Sequence, residues 1–407
     1  MLKKEYCFTY KNIAERKRRN LLILDCIRRH GTVSRTDISK ETDINIVSIS
    51  NYLNNYIKKG LVLSAGCDES SGGRRPELVT LNTESVRVVG VDIGPEQVHV
   101  IIGDLALNIK EKKVFPRPVG SMDEVLKETS ESLGKILEEC TDPLSNIRGI
   151  GIGASGVVDI SAGTIRDTDP TRGRTGTDFF ALARLIEDKF KIPTMVGNDA
   201  TCGAFGEYCI LPAGDMDELL FVYSDVGCGI VLNGDIYCGA SGVAGEIQLF
   251  LKKQERPEDD EAPVSSYGIR GVDLGIVQAA NKLVENGEGA RIAELAKSSQ
   301  GVITKELIFK AAAEGDEESK ILLEDAAKWL GLRVAYLVNL FNPRLIVIGG
   351  GMEAAGSHFM DELTLQVKRY SFEEAFNAVK VVPSYLGEDA IALGAVALSV
   401  RELFLNA

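Results

Sequence analysis

From Ile13 onward the chain shows two regimes of hydrophobic patterning. In the first, apolar residues recur every three or four positions. "RNLLILDCIRRHG" sets Leu21, Leu24 and Ile27 on one helical face and stops at Gly31. "TVSRTDISKETD" opens a second helix, with Ser34 as N-cap and Asp37 three residues on in a capping-box pattern. "INIVSISNYLNNYIKKG" gives a third, capped by Asn45 and ended at Gly60, with Ile49, Leu53 and Ile57 as its buried stripe. Two short runs, "LVLSAG" and "PELVTLN", then read as a hairpin around a polar tip, "CDESSGGRRP". Past Asn82 the pattern changes. β-branched strands such as "VRVVGVDIG", "QVHVIIGDL" and "IRGIGIGASGVVD" alternate with helices, and the chain closes on a small-residue helix, "DAIALGAVALSVREL". Such alternation predicts an α/β body, and the glycine loops at its strand ends mark where a ligand would sit.

The N-terminal helices have the layout of a DNA-reading head. On the third, Asn45, Ile46, Ser48 and Asn51 face away from the apolar stripe. Short side chains at a helix N-terminus suit base edges and phosphates in a major groove. Ser34 and Arg35 begin the preceding helix, and Arg74 and Arg75 lie on the glycine-rich tip, where paired arginines suit a minor groove or a phosphate backbone. The competing reading is a solvated face on a three-helix bundle. Charge favours the first: residues 1–80 carry 15 Lys and Arg against 9 Asp and Glu, although the whole chain has a net charge of −13.

At 407 residues the chain has room for two or three domains. No secretory pattern opens it, and no apolar run reaches the roughly 18–20 residues of a membrane span. The eight cysteines form no CxxC pair, so reduced, buried thiols in a cytoplasmic protein are expected.

"SSGGRRPELVTLN" (residues 70–82) resembles the wing-and-linker signature of the ROK family of transcriptional regulators, and the order of the later elements resembles the ROK body. The resemblance implies a winged helix-turn-helix domain over 10–84 and a sugar-kinase-like effector domain over 85–407. That domain would have the two-lobed actin-like, RNase H-like fold, with lobe 1 near 85–200 plus 388–407 and lobe 2 near 201–387.

Active family kinases resemble D-x-G-G-T at the first phosphate loop. Here Asp92 and Gly94 remain, but Pro95 removes an amide donor and Glu96 replaces the hydroxyl residue, with nothing in the sequence to offset its charge. The second loop reads Tyr223-Ser224-Asp225-Val226-Gly227-Cys228-Gly229-Ile230; Gly227 and Gly229 survive and Asp225 adds another negative charge. The adenosine-side loop, with Gly349 and Gly350, is preserved and is read as a tight structural turn. The resemblance makes Asn198 and Glu246 sugar ligands and Asp199 a former catalytic base, with Ser155 and Gly156 completing an effector site. Arg172 and Arg174, where relatives have the middle of that pocket, either stand on a solvated loop or face an anionic effector. All four ligands of the family zinc loop are replaced across Ser265 to Leu274 and at Leu249, so neither metal nor cofactor is expected.

The expectation is a repressor of carbohydrate-related genes that has lost phosphoryl transfer. It would bind a double-stranded DNA operator and a sugar or sugar-phosphate effector, as a homodimer or homotetramer. The alternatives are a working ATP-dependent sugar kinase and a regulator answering to a protein partner.

Overall fold

The computed structural model describes residues 13–67, 77–140, 143–159, 162–166, 179–211, 217–224, 226–247 and 273–407. Arg74, Arg75, Arg172, Arg174, Asp225 and positions 248–272 of the former zinc loop lie outside them.

The head consists of α1 (Glu15–His30), β1 (Thr32–Ser34), α2 (Arg35–Thr42), α3 (Ile46–Lys58), β2 (Val62–Cys67) and β3 (Glu77–Leu81), with the strands ordered β1-β3-β2. Two of its helices, α2 and α3, start where side chains satisfy free amides. Ser34 accepts from the Asp37 amide at 3.1 Å and Asn45 from the Ser48 amide at 2.9 Å. On α3 the buried residues are Ile49, Leu53 and Tyr56, whereas Ile57 is only half-buried. The four-residue spacing chose the neighbour of the aromatic residue that fills the stripe.

The body holds two five-stranded sheets. The first is built from β4 (Arg87–Ile93), β5 (Gln97–Gly103), β6 (Ile109–Pro116), β7 (Ile147–Ala154) and β10 (Thr194–Asn198), in the order β10-β7-β4-β5-β6; between these strands in the chain come α4 (Met122–Glu139), the separate two-stranded pair β8 (Val157–Asp159) and β9 (Thr164–Arg166), and α5 (Leu182–Phe190). After α6 (Asp199–Ile210) the second follows: β11 (Glu218–Tyr223), β12 (Gly227–Leu232) and β13 (Asp235–Ile236). Helices α7 (Ile276–Glu285), α8 (Ala290–Ala296), α9 (Lys305–Ala313) and α10 (Glu317–Phe341) lead to β14 (Leu345–Gly349), α11 (Ser357–Tyr370), α12 (Glu373–Ala378) and β15 (Lys380–Pro383). This sheet runs β13-β12-β11-β14-β15, and α13 (Ala390–Leu405) ends the chain. In each sheet the first strand pairs antiparallel with the next and parallel with a later one, β4 with β5 and β7, β11 with β12 and β14. This is the two-lobed actin-like arrangement.

Two helices join the lobes. α13 lies on β4, β5, β7 and β10, α6 lies on β11 and β12, and the two pack on each other. Glycine makes that approach possible, because a Cβ on Gly394 would run into the Cys202 carbonyl and one on Gly206 into the Ala390 carbonyl. One apolar cluster runs without a seam from the head (Leu21, Ile23, Leu53) through α13 (Val396, Val400, Phe404) to α6 and β11 (Phe205, Phe221). Among the described residues no helix is long and apolar enough to cross a membrane.

Candidate functional site

Asp92 sits near the end of the central strand β4, in register with Gly153 of β7 and His99 of β5. It is only 5% exposed, and its Oδ1 has no hydrogen-bond partner among the described residues. Burial, reinforced by the negative charge of Asp199, pushes its carboxyl well above the usual range, with Arg117 opposing. Asp199 opens α6 and is itself buried, its carboxylate accepting from the Ala200 amide at 2.7 Å. Glu246 is the third acid. Its surface is accessible at the cleft edge, yet protein crowds it closely enough that desolvation, with help from Asp199, lifts its carboxyl to about 7. Asp199 thus lies within electrostatic reach of both Asp92 and Glu246.

Asn198 ends β10 beside it. Its Oδ1 caps α6 through the Thr201 amide at 3.2 Å, and its Nδ2 donates to the Gly156 carbonyl at 3.2 Å. The loop Ser155–Gly156, half-buried, is thereby joined to the same end of the sheet. All five residues expected to hold an effector occupy this end, although the two Asn198 bonds already engage both ends of its amide.

The loops that would hold a nucleotide are engaged with each other. In the second, Ser224 is buried in a left-handed conformation (φ 49°), and both its amide and its hydroxyl donate to the Gly349 carbonyl, at 3.2 and 3.4 Å. Gly350 (φ +90°) must be glycine, since a Cβ there would strike the Ser224 hydroxyl, and one on Gly349 would enter the Phe221 ring. Gly229 packs on the Ala200 carbonyl, and a Cβ on Gly227 would press on the Ala200 methyl at 3.2 Å. Lys305 reaches over this loop from α9 to the Gly350 carbonyl at 3.4 Å.

The first loop needs a correction. Glu96 is exposed at the hairpin tip, where solvent weakens its repulsion. The sequence did not reveal Arg117: just past β6, it is buried behind the hairpin and donates to the Gly94 carbonyl at 3.0 Å, and its charge opposes the rise in the Asp92 pKa. Only the β5–β6 pairing brings it there, and no spacing in the sequence announces that.

In the head, Ile46 (41% exposed), Val47 (68%) and Asn51 face outward from α3, with Asn45 at its cap and Ser48 half-buried. Val47 joins this exposed face although the sequence did not single it out, because an apolar residue on a helix reads as core until its exposure is seen. Ser34 must be withdrawn as a DNA contact: it is 2% exposed and occupied with capping. Arg35 ion-pairs with Glu77 of β3 at 2.8 Å, bracing α2 against the wing.

Comparison with known proteins agrees with this geometry. The ROK family pattern matches residues 88–262 and 275–402. The chain belongs to the ROK family. It is 27% identical over 389 residues to the xylose repressor of Caldicellulosiruptor bescii, covering 94% of this ROK chain and 95% of that protein. A crystal structure of a ROK-family transcriptional regulator, homologous to the Escherichia coli Mlc protein, superposes with a TM-score of 0.75 at 22% identity, over 96% of both chains. A ROK glucokinase from Streptomyces griseus, solved with glucose and AMPPNP, matches 77% of this chain and 99% of its own at a TM-score of 0.63 and 23% identity. The kinase match is about the length of the body alone, whereas the repressor matches, at 94% and 96% of the chain, take in the head.

Proposed function

We propose that this ROK chain is a sugar-responsive DNA-binding repressor whose cleft takes an uncharged sugar and transfers no phosphate. The observation that carries the reading is the state of the second phosphate loop. The Ser224 amide and hydroxyl, which would face a nucleotide's phosphates, both donate to Gly349 instead. The acids Asp92, Asp199 and Glu246 bear on the effector. The three carboxyls can exchange hydrogen bonds with sugar hydroxyls, and whichever of them is ionised repels a phosphate. A neutral pentose such as xylose, after the relative's name, suits it better than a sugar phosphate. The competing reading, a working kinase, draws support from the retained Asp92 and Asp199.

The head would read an operator through Asn45, Ile46, Val47, Ser48 and Asn51 of α3, with Arg35 and the wing arginines Arg74 and Arg75 toward phosphates. Its link to the cleft is physical. Asn20 of α1, 2% exposed, donates through Nδ2 to the Leu405 and Ala407 carbonyls at the end of α13, at 3.2 and 3.0 Å. Its Oδ1 accepts from the Tyr56 hydroxyl of α3 at 2.7 Å. At the other end of α13, Glu207 of α6 accepts from the Leu386 amide at 3.0 Å and from the Ser384 hydroxyl, in the turn before that helix. A sugar that favours one lobe angle would thus move α13, and with it Asn20 and the recognition helix.

Dimerisation is part of the proposal, because an inverted repeat needs two recognition helices about one DNA turn apart. The body leaves an uncovered apolar face for a second copy: Leu332, Tyr336 and Leu340 along α10, beside Leu365, Tyr370 and Phe372.

The test pairs calorimetry with turnover. D-xylose binding that Asp199→Ala abolishes, no response to sugar phosphates, and no sugar-dependent ATP hydrolysis are expected. Sugar-dependent ATP turnover lost in Asp199→Ala would overturn the reading in favour of the kinase.

A further inference from the structure

Outside the cleft, three metal-ligating side chains meet in the head. The sulfur of Cys26, the ring nitrogen of His30 and a carboxylate oxygen of Glu41 all lie within 4.8 Å of one another. Cys26 and His30 are one turn apart on α1 and share a face; Glu41 comes from α2. We propose that Cys26, His30 and Glu41 form a binding site for a divalent transition ion of the zinc class, stapling α1 to α2 beneath the recognition helix.

The donor set selects the ion. One thiolate, one imidazole and one carboxylate suit borderline zinc and its stand-in cobalt, and disfavour calcium and magnesium, which take oxygen ligands. Charge balances as well: a dication with one thiolate, one carboxylate and a neutral imidazole is neutral overall, as a partly buried site requires.

The surroundings support the ligands. In the metal-free arrangement the His30 Nε2 and Glu41 Oε2 share a proton at 2.7 Å, and the Arg29 Nη2 donates to the other oxygen, Oε1, at 3.0 Å. Arg29 is anchored in turn by the buried Asp25 at 3.4 Å. An ion on Oε2 therefore leaves the Arg29–Oε1 contact in place, and that contact orients the ligating carboxylate from outside. Cys26 is fully buried, and an ion binding there would displace its thiol proton to solvent. The His30 side chain is 39% exposed, which gives the ion an entry path and leaves a fourth position to water. The pattern escapes a search for CxxC because its two helical ligands are an i, i+4 Cys–His pair and the third lies across a turn.

Titrating cobalt(II) into the full-length, chelator-stripped protein tests this. The expected result is one equivalent bound, with a thiolate-to-cobalt charge-transfer band that zinc displaces. Cys26→Ser should remove the band, and His30→Ala should weaken binding at least ~10–100-fold. Cys140→Ser should change nothing. Because His30 is exposed, its alanine variant should fold even if Cys26→Ser does not. Absence of a band, or a band indifferent to His30→Ala, overturns the assignment.

Discussion

The chain buries polar groups in two opposite ways. At the junction of head and body, Asn20 has every amide function in use: two hydrogens on the carbonyls that end α13, and its oxygen on Tyr56. Near the end of β4, Asp92 is also buried, yet one oxygen has no partner among the described residues and the charge of Asp199 bears on it. A satisfied buried network fixes one geometry. An unsatisfied one carries a standing cost, tolerated where a ligand will supply the missing partner. Under the proposed function, the contrast separates a region that would transmit from a region that would receive.

The largest effect should come from breaking the satisfied side. Asn20→Ala strands the Tyr56 hydroxyl and two helix-terminal carbonyls in a dry interior. A loss of ~2–4 kcal/mol is expected from three net hydrogen bonds and their desolvation. Denaturant unfolding reads the stability, and operator binding with and without xylose reads the coupling. A variant that keeps wild-type stability and a wild-type sugar response would remove Asn20 as the link. The unsatisfied side should behave in reverse. Asp92→Asn removes a carboxylate that burial disfavours, so it should stabilise the sugar-free protein by ~1–3 kcal/mol while weakening sugar binding. The sign in pH is fixed: an acid whose folded pKa is raised loses stability as pH climbs above its unfolded value near ~3.9, so the advantage of the variant should grow from acid to neutral pH. An advantage that shrinks with rising pH would contradict the assignment.

Smaller again is the effect of the α3 surface. Val47→Ala and Asn51→Ala should leave stability nearly unchanged and cost ~1–3 kcal/mol of preference at single operator positions, read by binding to base-substituted sites. Equal losses on every sequence would mean that these residues touch only backbone.

Much of the fold was legible because it rests on local rules. Ser34 and Asn45 are short polar residues ahead of apolar periodicity, and both cap helices. The site was legible only in part. Asn198, Asp199 and Glu246 stand in short motifs; the first two adjoin at the start of α6, and the third lies within electrostatic reach of Asp199. Arg117, Lys305 and Asn20 stand in no motif. Each acts through pairing across 23 to 387 residues of sequence, which a single chain read linearly does not register. Ser34 failed for the opposite reason: the property that makes it a good cap is the one that makes it resemble a phosphate contact.

The finest probe of the contrast is the proton itself. Glu246, lifted to about 7 by burial and by Asp199, is about half protonated at neutral pH. Sugar hydroxyls that donate to its carboxylate favour the charged form and lower that value on binding. Binding at pH 7 should therefore release on the order of half a proton, measurable as a dependence of calorimetric heat on the ionisation enthalpy of the buffer. Affinity should fall as pH drops below 7, and Glu246→Gln should abolish both the release and the pH dependence. Proton uptake instead of release would mean that Glu246 enters the complex as an acid and donates to the sugar. The cleft would then complete its hydrogen bonding from the protein side, and the difference between receiving and transmitting regions would no longer rest on an unmet carboxylate.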